Sequence, residues 1–494
     1  MNEKTRIGAW KENRRFVDEY FHTERNVDAI VRDFRSLDGR ACFLVYIDGM
    51  ADSEQVNDFI MRPIMTHRCA GLTGVDQAVE FGDCTLVSDM ETACQRVLQG
   101  DTAVFMEALD TCGVCETKGF DKRSVSTPET ENVVKGSHEG FNESIRSNIT
   151  LLRRSVKSGN LITEMVTVGN VSGEKCAVLY LDGITDPQTV AEVKRRLHGI
   201  QGDYYSGSGM IEQMIEDSRF SLFPSVLTTE RPERAAQYLA AGRTLIICDN
   251  TPYALVVPIT ASELFDSPEG NQQRWQNGTF AKWIRVFAFL CSTVLSGLYI
   301  ALLNFHREML PSQLLKVIAE SRAEIPFTAL AELLVMEVFF ELVREAGIRI
   351  PNAVGGAVSV VSGLILGQAA VEARIVSPVT LIIVAITGIA NAAIPDYDLS
   401  VGIRITKFAL ILLGGLFGLA GLTVGVVLLA LALCSQRSFG IDMAQSSDLR
   451  AASTGIWIQT PIWMQELRTK YLNTLRRRQQ PDYSRSWDQK GKKS

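Results

Sequence analysis

Histidine and aromatic residues are scarce in this chain, and an excess of positive charge is absent. The five histidines among 494 residues, His22, His67, His138, His198 and His306, show no clustered ligand spacing. Aromatics make up 8% and the net charge is -6, which excludes a basic nucleic-acid binder. There is no GxxxxGK[ST] phosphate loop, and the glycine-rich stretch GDYYSGSG at 202–209 lacks the strand–turn–helix setting a nucleotide site needs. Of the ten cysteines, Cys112 and Cys115 have metal or redox spacing but no second pair beside them. Small buried thiols are the better reading. No nucleophile–base arrangement is visible. No catalytic residue, metal site or cofactor is therefore expected, and the chain does not read as an enzyme. Long apolar runs are missing before residue 286, so no cleavable signal peptide is expected and the N-terminal half should be cytosolic.

The chain does contain strongly uneven hydropathy. Its mean hydropathy of +0.08 is high for a chain with 21% charged residues. The length suits two to four domains at roughly 150 residues each. Residues 1–282 are mixed and charged, 285–434 are mostly apolar, and the remainder is polar and basic. Four runs carry no charge: Val286–Leu303, Ala353–Val371, Ile375–Pro395 and Phe408–Cys434. A membrane-spanning helix needs about 20 apolar residues, and all four are long enough. A fifth stretch, Pro326–Ile350, contains Glu332, Glu337, Glu341, Arg344, Glu345 and Arg349. One acidic residue at the bilayer centre costs about 2.5–3.5 kcal/mol on insertion scales. Glu337, Glu341, Arg344 and Glu345 lie within about 100° of one another around a helix, so the stretch reads as an amphipathic helix, lying at the interface or packed inside an assembly, rather than as a full crossing. The arginine- and lysine-rich tail and Lys282 and Arg285 point both ends of the membrane region toward the cytosol. Four crossings satisfy that parity.

Small residues let helices approach closely in lipid. Gly363 and Gly367 form one GxxxG, and Gly414, Gly418, Gly421 and Gly425 recur at helical spacing in the last run. They read as packing positions, within one subunit or between subunits.

The N-terminal half is internally duplicated. Cys42-Phe-Leu-Val-Tyr-Ile-Asp-Gly49 resembles Cys176-Ala-Val-Leu-Tyr-Leu-Asp-Gly183, and the segment 93–100 aligns with 235–242, each running into an apolar strand-like stretch. The expected fold class is thus an α/β duplicated cytosolic domain followed by an all-α membrane domain. The expected parts are an N-terminal arm (1–24), a first α/β subdomain (25–120), a linker (121–154), a second α/β subdomain (155–275), the membrane domain (283–434) and a basic cytosolic tail (435–494). Each Asp-Gly pair reads as a turn, with a ligand site as the alternative.

Several stretches resemble the A subunits of bacterial spore germinant receptors, the GerA family. They are Glu131-Asn-Val-Val-Lys-Gly136 with Glu139-Gly-Phe-Asn-Glu143, Asn148 and Leu151-Leu-Arg-Arg154; Phe223-Pro-Ser-Val-Leu-Thr-Thr-Glu-Arg-Pro232; Pro326-Phe327, Met336-Glu337 and Glu341 through Pro351; and Gly363-Leu-Ile-Leu-Gly-Gln-Ala-Ala-Val371 with Ser377-Pro378. The resemblance covers about residues 30–440, while the tail lacks the family's Pro-Tyr-Leu start and proline-rich ending. It implies a multi-pass subunit of the inner spore membrane, with its N-terminal domain and tail on the core side. Its implied partners are a transporter-like B subunit, which binds the nutrient, and a lipoprotein C subunit. The stage V sporulation AF proteins share this architecture, which leaves an ion-release amplifier as one alternative and a non-conducting scaffold as another. A nutrient carrier fits less well, because four spans show no internal membrane repeat. Rings of carboxylates select cations, so a homo-oligomer with Glu337, Glu341 and Glu345 at a pore mouth is one expectation. Pairing of these carboxylates with Arg344 and Arg349 is the other. Glu230, Arg231 and Pro232 are candidate domain-interface residues.

Overall fold

The computed structural model describes residues 6–69, 71–119, 127–128, 130–131, 133, 135–349, 367–445 and 457–479. The first repeat comprises α1 (Trp10–Phe21), β1 (Ala29–Arg35), β2 (Ala41–Ile47), α2 (Ser53–Gln55), α3 (Arg62–Thr66), β3 (Cys84–Val87), α4 (Met90–Val97), β4 (Thr102–Met106) and β5 (Cys112–Cys115). The second comprises α5 (Ile145–Ser155), β6 (Leu161–Val168), β7 (Glu174–Leu181), α6 (Pro187–His198), α7 (Ser208–Ile215), β8 (Leu227–Thr229), α8 (Pro232–Ala240), β9 (Thr244–Cys248) and β10 (Ala254–Val257). Both sheets are antiparallel and have the same order, β1-β2-β4-β5-β3 and β6-β7-β9-β10-β8. The duplicated α/β architecture is therefore present.

The two central strands show why the repeats fold as three layers. Side chains alternate faces along a strand. In β2, Phe43, Val45 and Ile47 enter one core with Val17 and Phe21 of α1, while Cys42 and Leu44 enter another with Ile60 and Ile64. In β7, Ala177, Leu179 and Leu181 face one core and Cys176, Val178 and Tyr180 the other. Helices cover both faces of each sheet. The boundaries consequently differ from those expected. The N-terminal arm contributes α1 to the first core, and the linker contributes α5, with Leu151 and Leu152 buried in the second. Both helices are integral first elements of their repeats.

The Asp-Gly pairs are turns, with Gly49 at φ 78° and Gly183 at φ 73°, a region that favours glycine. Their aspartates lie at the seam between repeats: Asp48 pairs with Arg146, and Asp182 lies 3.3 Å from Arg25. A buried cation closes the same seam. Arg153 of α5 donates to both carboxylate oxygens of Asp28 at 2.6 and 2.7 Å and to Asn26 Oδ1 at 3.1 Å.

The helical region comprises α9 (Trp275–Phe305), α10 (Ser312–Arg322), α11 (Ala329–Arg349), α12 (Pro378–Ala392) and α13 (Tyr397–Ser435). By length and composition α9 and α13 are each apolar enough to cross a membrane, and α12 is a shorter apolar helix. Most of the expected span Ala353–Val371, with Gly363, lies outside the described residues.

The expected single span Phe408–Cys434 is instead two antiparallel arms. Gly418 has φ 63° and ψ -147°, which is not helical and is essentially restricted to glycine. A Cβ on Gly425 would lie 2.5 Å from Leu410 and 2.8 Å from Leu413. In a continuous helix, fifteen residues would separate Gly425 from Leu410 by about 22 Å. The chain therefore doubles back at Gly418. Its two ends return to the second subdomain, where Leu399, Ile403, Leu429 and Leu433 join one core with Phe265 and Phe289. Gly418, at the far end, abuts Phe305 at the end of α9.

Residues 457–479 of the tail strap the second subdomain. Tyr471 donates to Glu263 at 3.1 Å, Arg468 Nε to the Ala240 carbonyl at 2.8 Å, and the Leu475 amide to the Ile184 carbonyl at 3.0 Å.

Candidate functional site

The acidic stripe of α11 faces the first arm of α13. Leu330 touches Gly415, Glu337 pairs with Lys407, Glu341 with Arg404, and Arg344 reaches Ser400. As one residue number rises the other falls by nearly the same amount, so α11 runs antiparallel to this arm over about 21 Å at 1.5 Å per residue. It returns toward the soluble domains alongside the apolar helices, rather than lying across their ends. The acidic face of this amphipathic stretch is packed inside the helical bundle.

Each buried carboxylate on α11 meets a cation from another helix. Glu337 is 0% exposed, lies 2.5 Å from Lys407 Nζ and accepts from Ser296 Oγ of α9 at 2.8 Å. Glu341 lies 2.9 Å from Arg404 and 3.9 Å from Lys407. Glu332 accepts from the amide and hydroxyl of Ser377, each at 2.7 Å, and lies 3.4 Å from Arg322 of α10. Glu345 is exposed and pairs along its own helix with Arg349 at 2.8 Å. The structure thus separates Glu345 from Glu337 and Glu341. Of the two cations expected as partners, Arg349 meets Glu345 and Arg344 meets a serine.

Lys407 and Arg404 were missed because they precede the charge-free run and look like its flank. Their i, i+3 spacing, set against the i, i+4 spacing of Glu337 and Glu341, was the available signal. Isolated charges of this kind are costly in a bilayer and so face the protein interior in pairs.

The glycines serve packing within the chain. Gly414 and Gly297 meet backbone to backbone, since a Cβ on Gly414 would lie 2.6 Å from the Gly297 carbonyl oxygen. Gly421 and Gly425 bring the second arm of α13 onto the first, and Gly367 meets Leu381 of α12. Gly418 is the reversal itself rather than a contact on a helix face.

Glu230, Arg231 and Pro232 join β8 to α8 and hold the segment between repeats. Glu230 accepts from Thr130 Oγ1 at 2.8 Å, and Arg231 donates to the carbonyls of Glu131 and Ser137 at 2.7 and 2.5 Å. Pro232 occupies the first turn of α8, where its missing N–H costs nothing. Outside the helical region, Glu212 of α7 is pushed up to about 8 by burial and by the nearby Asp398, Glu216 and Asp396 carboxylates.

Residues 16–471 match the family described as "Bacillus/Clostridium GerA spore germination protein". Spore germination protein KA of Bacillus subtilis is 37% identical over 423 residues, covering 84% of this chain and 77% of the relative. An uncharacterized membrane protein of the same organism, YfkQ, is 34% identical over 477 residues, covering 95% and 91%. Among solved structures, the chain is similar to the N-terminal domain of the A subunit of the Bacillus megaterium spore germinant receptor GerK3. That likeness is 23% in identity, covers 51% of this chain and 96% of the other, and has a TM-score of 0.39.

Proposed function

The chain belongs to the GerA family of spore germination proteins, and we propose that it is the A-type subunit of a nutrient germinant receptor in the inner spore membrane. In this reading it works with a transporter-like B subunit and a lipoprotein C subunit. Six crossings, two more than the hydropathy runs number, keep both soluble ends on the core side. They are α9, α11, α12 and the two arms of α13, together with the apolar run 353–371 read from the sequence, most of which lies outside the described residues.

Copies of the chain assemble around an ion path whose resting state is held by the carboxylate–cation pairs of α11 and α13. The observation that carries this reading is the Glu337–Lys407–Glu341–Arg404 array in a largely apolar helical bundle. Buried ionisable groups in such a setting mark ion paths or the elements that gate them. A signal from the partner subunit separates α11 from α13 and exposes the carboxylates to permeating cations.

The test is potassium flux from liposomes holding the full receptor, with and without germinant. Germinant-dependent flux is expected, with raised basal leak in Lys407→Gln and weakened cation selectivity in Glu341→Gln. A receptor that triggers germination in spores yet passes no ions in liposomes would leave the scaffold reading, which the complete pairing of these carboxylates within one chain favours.

A further inference from the structure

Each repeat holds a pair of cysteines directly opposite one another on adjacent strands. Cys84 of β3 faces Cys115 of β5, and Cys176 of β7 faces Cys248 of β9. In an antiparallel ladder, opposed residues alternate between hydrogen-bonded and non-hydrogen-bonded pairs, with Cα atoms about 5.5 and 4.5 Å apart respectively. The Glu116 amide bonds the Asp83 carbonyl at 3.1 Å, and the Asp249 amide bonds the Lys175 carbonyl at 3.0 Å. Both cysteine pairs are one step further along, in the close non-hydrogen-bonded positions. A Cα separation of about 4.5 Å falls within the range of about 4.4–6.8 Å that a disulfide accepts.

The pairs differ in access. Cys176 and Cys248 lie on central strands, both fully buried, with sulfurs 3.7 Å apart. β3 is an edge strand, and Cys84 is half-buried while Cys115 is closed off. We propose that Cys84 and Cys115 form a redox-active dithiol, oxidised to a disulfide by low-molecular-weight disulfides, and that Cys176 and Cys248 stay reduced. Attack needs a thiolate that the oxidant can reach, and Cys84 qualifies. A hydrogen bond from Cys115 lowers the Cys84 thiol, against the opposing effects of burial and Asp76. The same contact, with burial, raises Cys115.

The exchange balances without a further reactant. The Cys84 thiolate attacks one sulfur of the small disulfide, whose S–S bond breaks and whose departing thiolate takes up the Cys84 proton. Cys115 then attacks the Cys84 sulfur. The protein S–S bond forms, and the second small thiol leaves carrying the Cys115 proton. Two cysteines are oxidised and one disulfide is reduced to two thiols. The bond pins β3 to β5, its only strand partner among the described residues.

The test uses the full chain in detergent, treated with oxidised glutathione, blocked with an alkylating agent and mapped by mass spectrometry without reduction. The expected result is a Cys84–Cys115 linked peptide with Cys176 and Cys248 recovered as free thiols. Cys115→Ser should trap glutathione on Cys84, and Cys84→Ser should abolish both products. Three results would each overturn the proposal: arrest of the unmodified chain at the Cys84 mixed disulfide, recovery of Cys84 as a free thiol, or oxidation of Cys176 and Cys248 at a comparable rate.

Discussion

Removing one member of the Glu337–Lys407 pair should be among the most damaging single changes in the helical region. The side chains are 0% and 4% exposed, so the survivor is left as a buried, poorly compensated charge. Breaking such a pair costs about 3–5 kcal/mol, a factor of roughly 10² to 4 × 10³ in the folding equilibrium. The geometry orders the two single variants. In Glu337→Gln, Lys407 keeps Glu341 at 3.9 Å, whereas in Lys407→Met the Glu337 carboxylate retains only the Ser296 hydroxyl at 2.8 Å as its named partner. Lys407→Met should therefore be the worse. The double variant leaves no charge to compensate and should return to within about 1 kcal/mol of the parent. Glu341→Gln should cost less, about 1–3 kcal/mol, because Glu341 and Arg404 are 21% and 16% exposed. Denaturant unfolding of the detergent-solubilised chain, followed by its helical circular dichroism, measures the whole cycle. Single variants that are mild and strictly additive in the double would refute the reasoning.

Three further outcomes can be checked. Gly418→Ala forces a side chain into a conformation costing about 1–3 kcal/mol, with Phe305 Cβ only 3.0 Å away. It should lower the apparent melting temperature more than Gly440→Ala, where the surroundings are open. Arg153→Ala strips the buried Asp28 of its cationic partner, leaving it the Thr163 hydroxyl at 3.3 Å, and limited proteolysis should then cut between the repeats at protease levels that leave the parent intact. Glu212 has a folded value raised from 4.5 to about 8, so the folded state binds its proton more tightly than the unfolded state does. Its contribution is full below pH 4.5 and is lost as pH rises toward 8. Glu212→Gln should flatten the fall in stability across that window, read from melting temperatures at fixed ionic strength.

What was legible in the sequence follows from local pattern. The match of residues 42–49 to 176–183 located two α/β units because β2 and β7 repeat the same alternating, doubly buried strand. The helices α1 and α5 escaped because they share position within the repeat but little sequence. Gly418 was read as a packing glycine because hydropathy is blind to φ, and an apolar run reads the same whether it continues or doubles back.

By itself the sequence determined that this is a duplicated α/β protein with a helical apolar region and a basic tail, since repeats, apolar length and charge are properties of the chain alone. Only the tertiary structure decided that the last apolar run doubles back at Gly418 and that α11 packs antiparallel to its first arm. The physical reason is compensation. A hydropathy reading assigns each of Glu337, Glu341, Arg404 and Lys407 the full cost of an isolated charge, and those costs fall away only when α11 and α13 set opposite charges 2.5–2.9 Å apart.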